Sequence, residues 1–159
     1  MLGELKRLLW ADDEPDRLEY EAEFVMSLGS RVDFAKTLLQ AVDALRQARY
    51  DGLILDQMFP VGIEDGPNIW GGCLLLRWLR RIDVPNGVPE DLRQVTSAIW
   101  TSGPLEGNES IPVHLVSAFY NPSILALIRE SEQNAKLRPS PKPTDTARLK
   151  EFFHLVESR

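Results

Sequence analysis

The chain has 159 residues, 43% of them hydrophobic and 26% charged, with a formal net charge of −6. That size and composition suit one folded domain with its own core and not a disordered segment. The acidic balance argues against a general nucleic-acid or anionic-membrane surface, because either needs a dominant basic field. Cys73 is the only cysteine, which excludes an internal disulfide and fits a reducing, cytoplasmic setting. With only His114 and His154 beside it, a zinc centre of the usual kind is not expected. No apolar run has the length of a membrane span, and no secretory leader pattern opens the chain.

KRLLWA (6–11) reads as a short strand that stops at Asp12, Asp13 and Glu14. Pro15 stands where a helix can begin, since its missing N–H costs nothing in a first turn. DRLEYEAEFVMSLG carries apolar residues at helical spacing, and Gly29 offers a stop. RVDFA (31–35) alternates like a strand with one face less buried, and Thr37 can cap a second helix, TLLQAVDALRQA. YDGLILD is a continuous apolar run, as expected of a strand buried on both faces. The order strand, helix, strand, helix, strand implies right-handed crossovers and a parallel sheet. Sites in such sheets form at the C-terminal ends of strands, where Asp12, Asp13 and Asp56 all fall.

The loop VGIEDGPN leads to a helix, IWGGCLLLRWLRRI, whose first turn is weakened by Gly71 and Gly72. Arg77, Arg80 and Arg81 lie near its C-terminal end, where cations favour the helix dipole. DVPNGVPEDLRQ and SGPLEGNES read as loops, and QVTSAIWTS between them as a strand. PVHLVSA (112–118) is a better strand, so a hairpin is expected across this region. Asn121-Pro122 opens the helix PSILALIRESEQ, AKLRP is a last strand, PKP (141–143) a rigid turn, and Thr144 or Asp145 the cap of a final helix. Trp10, Trp70, Trp78 and Trp100 read as packing groups, and Cys73 as a buried helix residue.

Three carboxylates on one rim repel unless a cation intervenes. A hard divalent ion such as Mg²⁺ takes oxygen ligands and binds phosphate oxygens as well. A carboxylate beside it can accept a phosphoryl group as an acyl phosphate. Taken singly, ADDEP reads better as a helix-capping acidic cluster and Asp56 as a turn residue; their joint placement on successive strand ends shifts the balance to the metal reading.

LLWADDEP, YDGLILDQMFP, EDGPNIWGGCLLLRWLR, PVHLVSA and PKP, in this order, closely resemble the response-regulator receiver domain of two-component signalling. The resemblance covers most of the chain apart from roughly 84–110. It implies a doubly wound parallel five-stranded α/β sheet with helices on both faces, as one domain spanning 1–159. Asp56 would be the phosphoacceptor, charged by a histidine kinase or phosphotransfer protein. Asp12, Asp13, Asp56 and the backbone carbonyl of Met58 would hold Mg²⁺. Ser117 would hydrogen-bond the phosphoryl group and Lys142 would pair with Asp56. Such a domain is a phosphoprotein that switches a surface for a downstream protein and is not a turnover enzyme; a homodimer is left open.

Two features of the sequence depart from the pattern. Asp56 and Ser117 are 61 residues apart, which implies an added loop or hairpin around 84–110, expected beside the active rim. Thr101 is a rival for the hydroxyl role if QVTSAIWTS is the fourth strand. Pro139 stands three positions before Lys142, where the family commonly has an aromatic residue. The insert and Pro139 motivate the alternative of a phosphorylation-independent interaction module. A phosphatase with Asp56 as covalent nucleophile is disfavoured by Met58, which stands where a second acid is often found.

Overall fold

The computed structural model describes residues 3–118, 120–132, 140–142 and 145–159. Five parallel strands form a sheet in the order β2-β1-β3-β4-β5: β1 Lys6–Ala11, β2 Ser30–Ala35, β3 Gly52–Leu55, β4 Val113–Ser117 and β5 Ser140–Pro141. The helices are α1 Glu19–Ser27, α2 Leu38–Gln47, α3 Gly71–Leu79, α4 Glu90–Ile99, α5 Pro122–Ser131 and α6 Thr146–Glu157. A 3₁₀ turn, Pro15–Leu18, precedes α1, with the proline in its first turn as expected.

Successive strand side chains face opposite ways, and this period of two sorts the core into two layers. Leu8, Trp10, Ile54 and Val116 pack with Ala22, Val25, Phe152 and Phe153 of α1 and α6. Leu9, Ala11, Leu53, Leu55 and Leu115 pack against α2, α3 and α5 on the other face. The central strands are therefore apolar throughout, as the run at 52–55 requires. Thr37 caps α2 by accepting the Gln40 N–H at 3.2 Å, and Asp145, not Thr144, is the cap of α6. Thr144 itself lies outside the described residues, as do Pro139 and the strand expected at 135–139; the last described strand is Ser140–Pro141.

Gly71 and Gly72 weaken their helix on propensity but are required by space. A Cβ on Gly72 would lie 2.4 Å from the Asp56 carbonyl oxygen, and one on Gly71 would lie 1.7 Å from that of Phe59. Their absence lets the head of α3 close onto the segment that carries Asp56.

The region around 84–110 differs from expectation. It forms a helix, α4, and not a hairpin; QVTSAIWTS supplies its second half. Leu92, Thr96 and Ile99 are buried at a spacing of four and three, the period of a helix, and Glu90 and Asp91 suit its first turn. The neighbours of β4 are β3 and β5. Nor does the insert lie beside the rim that carries the aspartates. Asn108 donates to the carbonyls of Leu45 and Ala48 at 2.8 and 2.7 Å, Arg46 to that of Ile99, and Trp78 Nε1 to that of Ser102. Those partners lie at the C-terminal ends of α2 and α3, next to the N-terminal edge of the sheet.

Candidate functional site

The β1 and β3 ladders place Ala11 opposite Leu55, so the next residue of each strand emerges side by side. Asp56 N–H donates to the Ala11 carbonyl at 3.0 Å, and Asp12 N–H to that of Ala35 at 2.9 Å. One carboxylate oxygen each of Asp12, Asp13 and Asp56 lies within 4.8 Å of the others. Asp12 and Asp56 are 1% and 4% exposed, whereas Asp13 is half-buried and leaves the cluster open to solvent.

Asp56 is held by three donors. Ser117 Oγ donates to Oδ1 at 2.7 Å and the Met58 N–H to the same oxygen at 3.0 Å. Lys142 Nζ donates to Oδ2 at 2.8 Å. The same ammonium lies 2.5 Å from Asp12 Oδ2 as an ion pair, and this buried oxygen has no further partner among the described residues. Asp12 Oδ1 accepts the Glu14 N–H at 2.9 Å. The structure thus brings together Asp12, Asp13, Asp56, Ser117, Lys142 and the Met58 N–H. Thr101 is remote, since its hydroxyl donates to Ala98 at the end of α4.

The electrostatics follow from crowding. Burial raises the Asp56 carboxyl above its usual range; Lys142 and Ser117 oppose this, and Asp12 adds to it. Burial and the charge of Asp12 raise Asp13. Burial would lower Lys142, but Asp12 and Asp56 outweigh it and hold its proton more tightly. Burial drives both carboxyl shifts, and the charges of Asp12, Asp56 and Lys142 modulate all three. Excess negative charge in a partly dry pocket favours any cation, and an all-oxygen donor set with one poorly satisfied oxygen suits a hard divalent ion.

Two contacts carried no signal in the sequence. The Tyr120 hydroxyl accepts the Ser117 N–H at 2.9 Å. Gln57 is fully buried behind Asp56, and its Nε2 donates to the Asn121 carbonyl at 3.4 Å. Trp10 and Trp78 are buried in the core, and burial pushes the Cys73 thiol up to about 11, which makes it a poor nucleophile.

No family model and no curated protein matches this sequence. Solved structures do. The receiver domain of the sensor histidine kinase PA1611 from Pseudomonas aeruginosa PAO1, solved with a magnesium ion in its active-site cleft, is similar at 19% identity and a TM-score of 0.56, over 96% of this chain and 98% of that one. A putative response regulator from Chloroflexus aurantiacus J-10-fl is similar at 19% identity and a TM-score of 0.62, over 98% and 99%. A CheY-like receiver domain from Methylobacillus flagellatus is similar at 17% identity and a TM-score of 0.60, over 96% and 98%. The chain has the fold of response-regulator receiver domains.

Proposed function

We propose that this chain is a phosphoacceptor receiver of a two-component relay. The carrying observation is the buried Asp56 carboxylate, contacted at once by Ser117 and Lys142 and clustered with Asp12 and Asp13. An Asp56 oxygen attacks the phosphorus of a phosphohistidine on a histidine kinase or phosphotransfer protein. The P–N bond breaks, the imidazole nitrogen keeps the bonding pair, and an acyl phosphate remains. Asp12, Asp13, Asp56 and the Met58 carbonyl would hold Mg²⁺, which when bound neutralises charge on the phosphoryl oxygens. Lys142 is placed to follow that charge from the carboxylate to the phosphoryl group, and Ser117 to donate to it. Burial keeps water from competing for Asp56, and the Met58 N–H fixes its orientation. The outcome is an altered surface for a downstream protein in the cytoplasm, without turnover of a substrate.

Incubation with phosphoramidate or acetyl phosphate and Mg²⁺, followed by intact mass spectrometry, tests this. One phosphate adduct is expected, which does not form when EDTA removes Mg²⁺ beforehand and is absent in Asp56→Asn. No adduct on the wild type, or one that survives the substitution, refutes it and favours a phosphorylation-independent binding module.

A further inference from the structure

Helix α5 meets the site with its head and the insert with its tail. At the head, Tyr120 holds the Ser117 N–H and Gln57 reaches the carbonyl of Asn121. Asn121 is the cap of α5, its Oδ1 accepting from Ser123 and Ile124 at 3.1 and 3.2 Å. Gln57 is fully buried, yet its Oε1 has no hydrogen-bond partner among the described residues. A buried, unpaired carbonyl is a standing penalty in this state of the protein.

At the tail, Arg77 of α3 and Arg80, its C-cap, bridge to Ser131 of α5 and to its C-cap Glu132. Arg77 donates to Ser131 Oγ at 3.2 Å, and Arg80 pairs with Glu132 at 2.7 Å. The same guanidiniums grip both ends of the insert. Arg77 Nε donates to the Asp83 carbonyl at 2.8 Å, and Arg80 to those of Glu109 and Ile111 at 2.8 and 2.7 Å. Between head and tail, Ile124 and Ile128 are buried in the core shared with α3. A packed helix held this way moves as a body and does not bend.

We propose that α5 transmits the state of Asp56 to residues 82–111, whose ends are held by the arginines at its tail. Gln57 and Arg80 are the positioning residues at the two ends. This rests on the reading of Asp56 as phosphoacceptor. A phosphoryl group on Asp56 gives the Ser117 hydroxyl a new acceptor. The Ser117 backbone is held by Tyr120, so the head of α5 shifts with it. Gln57, unsatisfied where it stands, offers little resistance. The tail carries Arg77 and Arg80, and with them both ends of the insert.

Hydrogen exchange read by mass spectrometry, with Mg²⁺ and with or without phosphoramidate, tests the coupling; intact mass on the same samples reports the adduct. Exchange within 82–111 is expected to change at least threefold on adduct formation, while α1 on the opposite face stays unchanged. Gln57→Leu removes the unpaired carbonyl and so spares the fold; its adduct should form, with the response of the insert below twofold. Arg80→Gln should lose the same response while keeping the change within α5. An adduct on the wild type with unchanged exchange in the insert overturns the proposal. So does a full response in both variants. Absence of the adduct removes the phosphoacceptor reading, and this inference with it.

Discussion

His114 on β4 is 8% exposed, and its ring stacks on Phe152 of α6 with centroids 5.4 Å apart. Burial first, and the charge of Arg148 second, push its pKa from 6.5 down to about 4. The unfolded chain therefore binds a proton over a range in which the folded chain does not. The stability His114 contributes is whole above pH 6.5 and is lost as pH falls toward 4. The slope reaches about 1.4 kcal/mol per pH unit, and integration between pH 7 and 5 gives a loss of about 2 kcal/mol. Urea unfolding of the wild type and of His114→Gln at pH 7, 6 and 5 measures it, because groups common to both proteins cancel in the difference. That difference should shift by about 2 kcal/mol against the wild type on acidification. The cavity beside His114 is also lined by Asp145 and Glu151. A flat difference would mean that the folded imidazole takes its proton against those carboxylates, and the burial argument would fall.

Two further predictions concern the site. Lys142 is a cation 2.5 and 2.8 Å from two carboxylates that would also bind Mg²⁺. Lys142→Ala should therefore tighten Mg²⁺ binding severalfold, read by tryptophan emission since Trp10 precedes the acidic pair, while slowing adduct formation; weaker binding would contradict the competition. Gly72→Ala sets a methyl 2.4 Å from the Asp56 carbonyl oxygen and 2.8 Å from the Gln57 Cα, backbone atoms that cannot swing aside. Despite the better helix propensity of alanine, a net loss of about 2 kcal/mol or more is expected in thermal unfolding, and a stabilised variant would refute the close-approach argument.

The elements with a clean period were legible before any coordinates. β1, β3 and α2 announce themselves because their apolar residues fall at spacings that only one backbone geometry can bury. The convergence of the three aspartates was legible for the same reason: strand ends are fixed by where the apolar run stops, whereas Ser117 and Lys142 followed only from the resemblance. α4 was not legible, because Val95, Thr96 and Ile99 are β-branched and invite a strand reading, while its buried face is only three residues wide. Gln57 and Tyr120 were invisible for a different reason. Each acts through a backbone group of a distant or turning segment, which leaves no trace in composition or spacing.

The position of the insert follows from chain direction, a constraint stronger than its unusual composition. In a parallel sheet every strand-to-helix connection lies on the C-terminal rim and every helix-to-strand connection on the opposite one. Residues 80–112 join α3 to β4, so they emerge at the rim away from Asp56 however long they grow. The site can thus keep its geometry while the insert enlarges the α2–α3 face. A segment free to vary beside the site is instead residues 62–70 of the connection from β3 to α3, where Ile63 is 80% exposed. The path of that connection is pinned at Pro60 and Val61, whose carbonyls accept N–H groups of Leu38 and Leu39 at 2.8 and 3.2 Å. Variation beyond those anchors changes what a partner meets next to Asp56 without moving the carboxylates that do the chemistry.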